Sequence, residues 1–143
     1  MTAHLTQLLI PVILALVFIY LMIKYEDKKE QKTTEKIFEG RERLSKDEFY
    51  IRYYQQQGIP KEIVIGVIKT LEDTLGVDLS RLQPSDDFSG NLGYFFEVDD
   101  MADVEIAMSL KNDFCIQFSD EEASNACMID DIIQLVKSKT QAS

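Results

Sequence analysis

An unbroken apolar stretch near the amino terminus constrains this chain more than any other feature. Residues 5–23 contain no charged side chain, and Leu8 to Ile23 contains no strongly polar one. About 19 helical residues rise ~28 Å, close to the ~30 Å hydrocarbon core of a bilayer. No Lys or Arg precedes the stretch, and Lys24-Tyr25-Glu26-Asp27 follows it in place of a small-residue cleavage site. We therefore expect a transmembrane helix that binds the lipid membrane through residues 5–23, not a signal peptide.

The charges beside this stretch predict its orientation. Four lysines follow it closely, namely Lys24, Lys28, Lys29 and Lys32. The positive-inside rule then places residues 1–4 outside the cell and the carboxy-terminal domain in the cytoplasm, as a single-pass membrane protein. Residues 24–44 are dense in mixed charge and are predicted to form a solvated stalk, either helical or frayed. Cys115 and Cys127 form no CxxC motif, so we expect two reduced, buried cysteines.

The next segments carry helix start and stop signals. Ser45-Lys46-Asp47-Glu48 is a capping box, which predicts an accessory helix from about Lys46 to Gln57 within residues 45–58. Gly58 supplies its left-handed stop. Pro60 suits the start of a second helix that Gly76 ends. The apolar residues of this second helix recur at three- and four-residue steps, namely Ile63, Val64, Val67, Ile68, Leu71 and Leu75.

The remaining segments also indicate helices. Turn residues are frequent from Val77 to Gly93, which predicts a long loop whose apolar side chains fold back onto the bundle. Asp99 and Asp100 are expected to open a helix that runs to about Phe114. Its predicted buried stripe is Met101, Val104, Met108, Leu110 and Phe114. A short helical turn opens at residues 119–122, and a last helix runs from Asp130 to about Lys137 with Ile129, Ile132, Ile133 and Val136 facing inward. These complete an all-α domain over residues 59–139, with a tail at 140–143.

The charge distribution excludes several classes of function. Pro84 to Asp131 contains 13 acidic residues against one base, Lys111, a net charge of −12. Such a surface repels nucleic acid and favours partners with basic patches. His4 is the only histidine and precedes the apolar stretch. We therefore expect neither a Ser-His or Cys-His catalytic pair nor a metal site, and the chain is predicted not to be an enzyme.

Several motifs in the acidic half occur in a characteristic order. Leu75-Gly76-Val77-Asp78 precedes Phe88 and then Leu92-Gly93. Val104-Glu105-Ile106-Ala107-Met108-Ser109-Leu110 is followed by Asp113-Phe114 and Ser119-Asp120-Glu121-Glu122-Ala123. In this order and spacing, about Pro60 to Val136 resembles the acyl carrier protein family. The resemblance implies a small four-helix bundle, here with an extra amino-terminal helix.

The resemblance breaks down at the position that matters most for a carrier. The family attaches 4′-phosphopantetheine to the serine of a D-S-L triplet, which falls on Asp99-Asp100-Met101 in this chain. Asp100 takes the serine position and has no hydroxyl to accept the arm, so no cofactor is expected. The segment from Leu92 to Val104 is also four residues longer than the family's spacing. This insertion contains Tyr94, Phe95 and Phe96.

These departures leave alternatives open. Asp100 is a plain helix-start acid, a permanent charge in place of the phosphate of the arm, or a residue misaligned with the serine of the family. Tyr94, Phe95 and Phe96 pack over the end of the bundle, plug the groove that an acyl chain would enter, or form an exposed docking patch. The family's partners recognise this second carrier-like helix. The resemblance therefore implies a docking surface formed by Asp99, Asp100, Met101, Asp103, Glu105 and Asp113.

Three hypotheses of function follow. The leading one is a membrane-anchored, acyl-carrier-like binding module without a covalent arm. It would dock partners with basic patches, with acyl-chain or lipid enzymes as candidates. The second is a working carrier modified at another serine, with Ser89 the only nearby hydroxyl. The third is a structural membrane scaffold or spacer.

Overall fold

A computed structural model describes residues 2–142. All regular elements in this range are helices, and turns and loops connect them. No β-strand forms in this range, which confirms the all-α prediction. The helices are α1 (Thr2–Ile37), α2 (Lys46–Tyr53), a 3-10 helix (Gln55–Gln57), α3 (Lys61–Leu75), α4 (Tyr94–Val98), α5 (Ala102–Phe114), α6 (Asp120–Asn125) and α7 (Ile129–Gln141). The chain divides into two compact units, one ending at Glu39 and one beginning at Gly40.

The first unit is dominated by α1, a helix of 36 residues with Pro11 inside its amino-terminal part. The mean hydropathy of its most apolar 18-residue stretch is 2.5. This helix is therefore long and apolar enough to cross a membrane. The helix continues through the charged residues to Ile37, so the segment predicted as a helical or frayed stalk is helical that far.

Helices α3, α5 and α7 form the core of the second unit. Apart from Leu75, which is partly exposed, the predicted faces of α3 and α7 are buried. Val64, Leu71 and Ile133 have almost no exposed surface. Helices α3 and α5 also pair through polar side chains. The Thr70 hydroxyl donates to Asp113 at 2.7 Å, and the Thr74 hydroxyl donates to Ser109 at 3.2 Å.

Helix α2 is the accessory helix that the sequence predicted. It precedes the part of the chain that resembles an acyl carrier protein. The Ser45 side chain accepts from the Glu48 N–H, and the Glu48 carboxylate accepts from the Ser45 N–H, which confirms the capping box. The α-helix ends at Tyr53, before the predicted end, and the 3-10 turn leads to Gly58 with φ of 70°. Gly58 therefore ends the segment in the left-handed conformation that we predicted.

Tyr54, directly after α2, connects the accessory helix to the last helix, α7. Its side chain has no exposed surface, and its hydroxyl donates to the Asp130 carboxylate at 2.9 Å. Burial and this hydrogen bond raise the pKa of Tyr54 well above its ordinary value. The neutral phenol is thus the stable form in the folded protein.

Replacing Tyr54 with Phe should lower the free energy of unfolding by about 1–2 kcal/mol at neutral pH, because one hydrogen bond to a carboxylate is lost. The folded pKa lies above the unfolded one, so this stabilisation is complete below pH ~10 and declines as the pH rises above it. Urea unfolding of the full chain in mild detergent at neutral and alkaline pH measures both effects. Tyr94→Phe is the control, and an equal loss in both variants would contradict the assignment.

The loop after α3 is long but folded onto the bundle. Leu79, Leu82 and Leu92 are buried in it, as predicted. Asp86 is buried too, with 2% of its side chain exposed. Its carboxylate accepts from Arg41 at 2.8 and 2.9 Å, from the Gln83 N–H at 2.7 Å and from the Asn91 amide at 2.9 Å. Asp86 therefore joins the segment before α2 to this loop.

Two predictions about burial are wrong. Met101, Val104 and Met108 were predicted to be buried, but they are 55%, 44% and 59% exposed. Leu110 is buried as predicted, and the core face of α5 also carries Ala102 and Ile106, so that its members are spaced four residues apart. The cysteines were expected to be buried, but Cys115 is exposed and Cys127 is partly exposed; both are free thiols.

Candidate functional site

The candidate site begins at the amino-terminal end of α5. The four extra residues of the insertion are accommodated by α4, a short helix of five residues. Asp99 follows it in an extended conformation, and its carboxylate accepts from the Met101 N–H at 3.0 Å. Helix α5 starts at Ala102, so the prediction that Asp99 and Asp100 open the helix is wrong by two or more residues. The aspartate caps the turn that leads into α5.

Asp100 is exposed in this turn, one residue before Met101. Its carboxylate has no hydrogen-bonding partner among residues 2–142. It therefore stays solvated, close to the positive end of the α5 dipole, where a negative charge is favourable. Asp100 thus presents a carboxylate and no hydroxyl at this position.

Five of the six predicted docking residues lie together at this end of α5. Asp99, Asp100, Met101, Asp103 and Glu105 are all exposed. The sixth, Asp113, lies near the opposite end of the helix and accepts the Thr70 hydroxyl described above. The structure thus brings together an acidic cluster, here defined as Asp99, Asp100, Asp103 and Glu105, and leaves Asp113 outside it.

An exposed apolar row runs beside the acidic cluster. It consists of Met101, Val104 and Met108, spaced three and four residues apart along one side of α5. Exposed apolar side chains within a polar surround are typical of protein interaction sites. Methionine side chains also adapt easily to different partners. The acidic cluster and the apolar row therefore form one mixed surface.

A cavity of about 630 Å³ lies between α5, α6 and α7. Its walls are largely apolar, and Ile106, Leu110 and Ile132 form part of them. Five polar or charged side chains also contribute, namely Ser89, Asp103, Lys111, Asp120 and Ser124. The cavity has the size and lining of a small-molecule site.

The aromatic insertion contacts this cavity through one residue. Phe96 lines it and stacks on Phe88, with ring centroids 4.7 Å apart and planes 5° from parallel. Phe95 is buried, and its ring packs edge-on against Tyr94 at 5.9 Å. Neither Phe95 nor Tyr94 lies on the cavity wall. A groove plug made of all three residues stays a prediction.

Ser89, the alternative attachment residue, is exposed and lies on the cavity wall. Its hydroxyl donates to the Asp87 carboxylate at 2.6 Å, and its N–H donates to the same oxygen at 2.7 Å. These two hydrogen bonds lower the pKa of Asp87. Ser89 is thus held in a tight turn by its neighbour.

Sequence reasoning missed the cavity and two residues on its wall. Cys127 lines the cavity and was assigned to the core. Lys111 also lines it, and its ammonium lies 4.8 Å from the centre of the Phe118 ring. A single base within a strongly acidic segment was the available signal for Lys111.

Comparison with known proteins gives the family. No established family model matches the chain. The chain is similar to the acyl carrier protein of Clostridium acetobutylicum, with 30% identity over 71 residues. The match covers 50% of this chain and 87% of that protein. By this similarity and its helical bundle, the chain belongs to the acyl carrier protein family.

Proposed function

We propose that this chain is a membrane-anchored, non-enzymatic member of the acyl carrier protein family that recognises partner proteins and carries no covalent arm. The observation that carries the proposal is the solvated carboxylate of Asp100, at the position where the resemblance to the family places the attachment serine. Transfer of a phosphopantetheine arm needs an alcohol as the nucleophile. A carboxylate cannot act in place of this alcohol, but it places a permanent negative charge at that position.

The mixed surface of α5 supports a docking role. The acidic cluster provides long-range attraction to a basic patch, which raises the rate of encounter. The apolar row provides area that a partner can bury after the encounter. The partners that fit are proteins with a basic patch around an apolar centre. Enzymes of acyl-chain or lipid metabolism are candidates by analogy with the family.

Helix α1 supports anchoring at a membrane. The lysines that follow its apolar stretch favour a cytoplasmic position for the second unit. Anchoring would confine the docking surface to the region near the membrane and raise its effective concentration for partners there. Labelling of the exposed Cys115 with a membrane-impermeant thiol reagent tests this orientation. Labelling in intact cells, before lysis, would contradict it.

Reversing two charges of the acidic cluster should weaken partner binding. Asp100→Lys together with Glu105→Lys should lower affinity about tenfold, mainly through a slower association rate. Both side chains are exposed, so the fold should persist. The experiment captures partners with the full chain in detergent and then measures association rates for each partner found.

The matched control reverses two exposed acids on another helix, with Glu62→Lys and Asp73→Lys on α3. It changes the net charge equally. We expect it to retain the partners and nearly the wild-type rates. Equal binding by the α5 variant and the wild type would contradict docking through α5 and would favour the scaffold hypothesis.

A carrier with its arm on Ser89 is the second candidate. The observation in its favour is the place of Ser89, exposed and on the cavity wall. The intact mass of the chain after co-expression with a phosphopantetheinyl transferase distinguishes the two candidates. A gain of one arm that disappears in Ser89→Ala would establish this alternative.

A further inference from the structure

The charged part of α1 carries its lysines on one side of the helix. Successive residues of a helix are turned by ~100° about its axis, so the direction of each side chain follows from its position. Helix α1 continues without interruption through this part to Ile37. All five of its lysines fall within an arc of ~140°, and all five are exposed. We call this arc the basic face, and it consists of Lys24, Lys28, Lys29, Lys32 and Lys36.

Most acids of the same part lie on the opposite side. Glu26, Asp27 and Glu30 fall within an arc of ~100° that is centred opposite the middle of the basic face. Glu35 is the one acid within the basic face, and it lies toward the far end, beyond Lys32. The nine residues from Lys24 to Lys32 contain four lysines and three acids. Their net charge is therefore small, but the two signs are separated onto two sides.

The basic face starts where the apolar stretch of α1 ends. Lys24 directly follows Ile23, and its ammonium lies 5.9 Å from the centre of the Tyr20 ring. Tyr20 and Tyr25 are both exposed. Tyrosine and lysine side chains at the end of an apolar helix are typical of the boundary between the hydrocarbon core and the lipid head groups. This boundary is thus expected near Lys24.

Two further lysines lie at the height of the head groups. With α1 across a membrane, Lys28 and Lys29 rise only ~8–9 Å beyond Ile23. The head-group layer is ~5–8 Å deep on each side of a bilayer. The long side chain of lysine extends its ammonium toward such a layer. An ammonium also forms strong, charge-assisted hydrogen bonds with phosphate oxygens.

We propose that the basic face binds the head groups of anionic phospholipids through Lys24, Lys28 and Lys29, so that these lipids gather on one side of α1. The proposal rests on the membrane anchoring proposed above and does not depend on partner docking. Basic residues beside a membrane span attract anionic lipids. The carboxylates on the opposite side of α1 repel the same lipids, which makes the binding one-sided.

Height above the membrane separates the lysines of the basic face into two groups. The attraction to an anionic surface decays over about one screening length, ~8 Å at physiological ionic strength. Lys32 and Lys36 rise ~14 and ~20 Å beyond Ile23. They should therefore contribute little, although they lie on the same face as Lys28 and Lys29.

The chain contains no tryptophan, so a single one can report the lipids on either side of α1. Leu21→Trp lies seven residues before Lys28, below the basic face, and Ile23→Trp lies seven residues before Glu30, below the acidic side. Both native side chains are exposed. Each full-length variant is placed in vesicles of phosphatidylcholine and phosphatidylglycerol, with bromine on the acyl chains of one lipid at a time. Bromine quenches a neighbouring tryptophan, so quenching identifies the adjoining lipid.

We expect an about fivefold preference for phosphatidylglycerol beside Leu21→Trp and almost none beside Ile23→Trp. Adding Lys28→Gln and Lys29→Gln to Leu21→Trp should reduce this preference to about twofold or less. The matched control adds Lys32→Gln and Lys36→Gln instead. It removes the same charge from the same face at a greater height, and it should keep most of the preference.

Three results would overturn the proposal. These are an equal preference at the two tryptophans, an equal loss of preference in the two lysine variants, and a preference that inorganic phosphate removes at constant ionic strength. The third result would show that the basic face takes soluble phosphate and not a lipid. Failure of the anchoring itself looks different, because neither brominated lipid would then quench either tryptophan. That outcome would overturn both proposals.

Discussion

Replacing Asp86 with Asn should lower the free energy of unfolding by about 3 kcal/mol, a typical cost of removing one partner of a buried ion pair. The Asp86 carboxylate is 2% exposed and accepts four hydrogen bonds from three residues. The backbone of Asp86 also accepts from the Ile129 N–H at 2.9 Å, at the start of α7. Asp86→Asn replaces one accepting carboxylate oxygen with an NH2 group. This donor would face the donors that the carboxylate now binds. The loop, the segment before α2 and α7 should all loosen.

A second Asp–Arg pair in the same unit provides the control. Asp78 pairs with Arg43, but more than half of each side chain is exposed. Asp78→Asn should therefore cost less than about 1 kcal/mol. Urea unfolding of the full chain in mild detergent measures both variants under the same conditions. Equal losses of stability in the two variants would contradict the larger contribution that we assign to the buried pair.

Gly66→Leu should lower the free energy of unfolding by about 2–3 kcal/mol, through overpacking between α3 and α5. Gly66 lies in the middle of α3, where a Cβ atom would approach within 2.7 Å of the Phe114 ring. A leucine adds three more carbons in that direction. The gain in helix propensity over glycine, about 1 kcal/mol at most, does not offset this clash.

A second substitution tests whether the Phe114 ring is the cause. Phe114→Ala opens the contact, so Gly66→Leu should cost much less in that background than in the wild type. Lys69→Leu, at an exposed position of α3, controls for the added leucine and should change stability by at most ~0.5 kcal/mol. Thermal unfolding followed by circular dichroism measures the wild type, the three single variants and the double variant. Additive costs in the double variant would contradict this close packing.

Helix starts, helix stops and the faces of two helices were predictable from the residues alone. The capping box at Ser45 and the glycines that end helices, Gly58 and Gly76, are local signals, and the structure contains all three. Helices α3 and α7 each have one apolar face, so their three- and four-residue spacing identified the core correctly. Helix starts, helix stops and single apolar faces depend on residues that are close together in the sequence, so the sequence alone predicts them.

The core face of α5 was not predictable in the same way, because this helix has two apolar faces. Ala102, Ile106 and Leu110 face the core, while Met101, Val104 and Met108 are exposed. Both sets have helical spacing, and the second contains the larger side chains. Hydrophobicity alone therefore combined residues of both faces, with Leu110 correctly predicted as buried and the other three wrongly. Only the positions of the other helices show which face is covered.

The sequence predicted only the part of the candidate site whose residues are close together in the chain. The acidic cluster was recognisable because its members are close in sequence. The cavity was not, since Phe88, Lys111 and Cys127 come from separate segments that meet only after folding. The left-handed Cys115, with φ of 53°, also lacked a local signal, because glycine usually takes that position.

The central claim is that the position of the attachment serine is occupied by a carboxylate and that the chain carries no arm. Its most direct test is the intact mass of the full chain after co-expression with a phosphopantetheinyl transferase, with Asp100→Ser measured beside it. The wild type should retain its unmodified mass. A wild-type chain that gains the mass of one phosphopantetheine arm would contradict it.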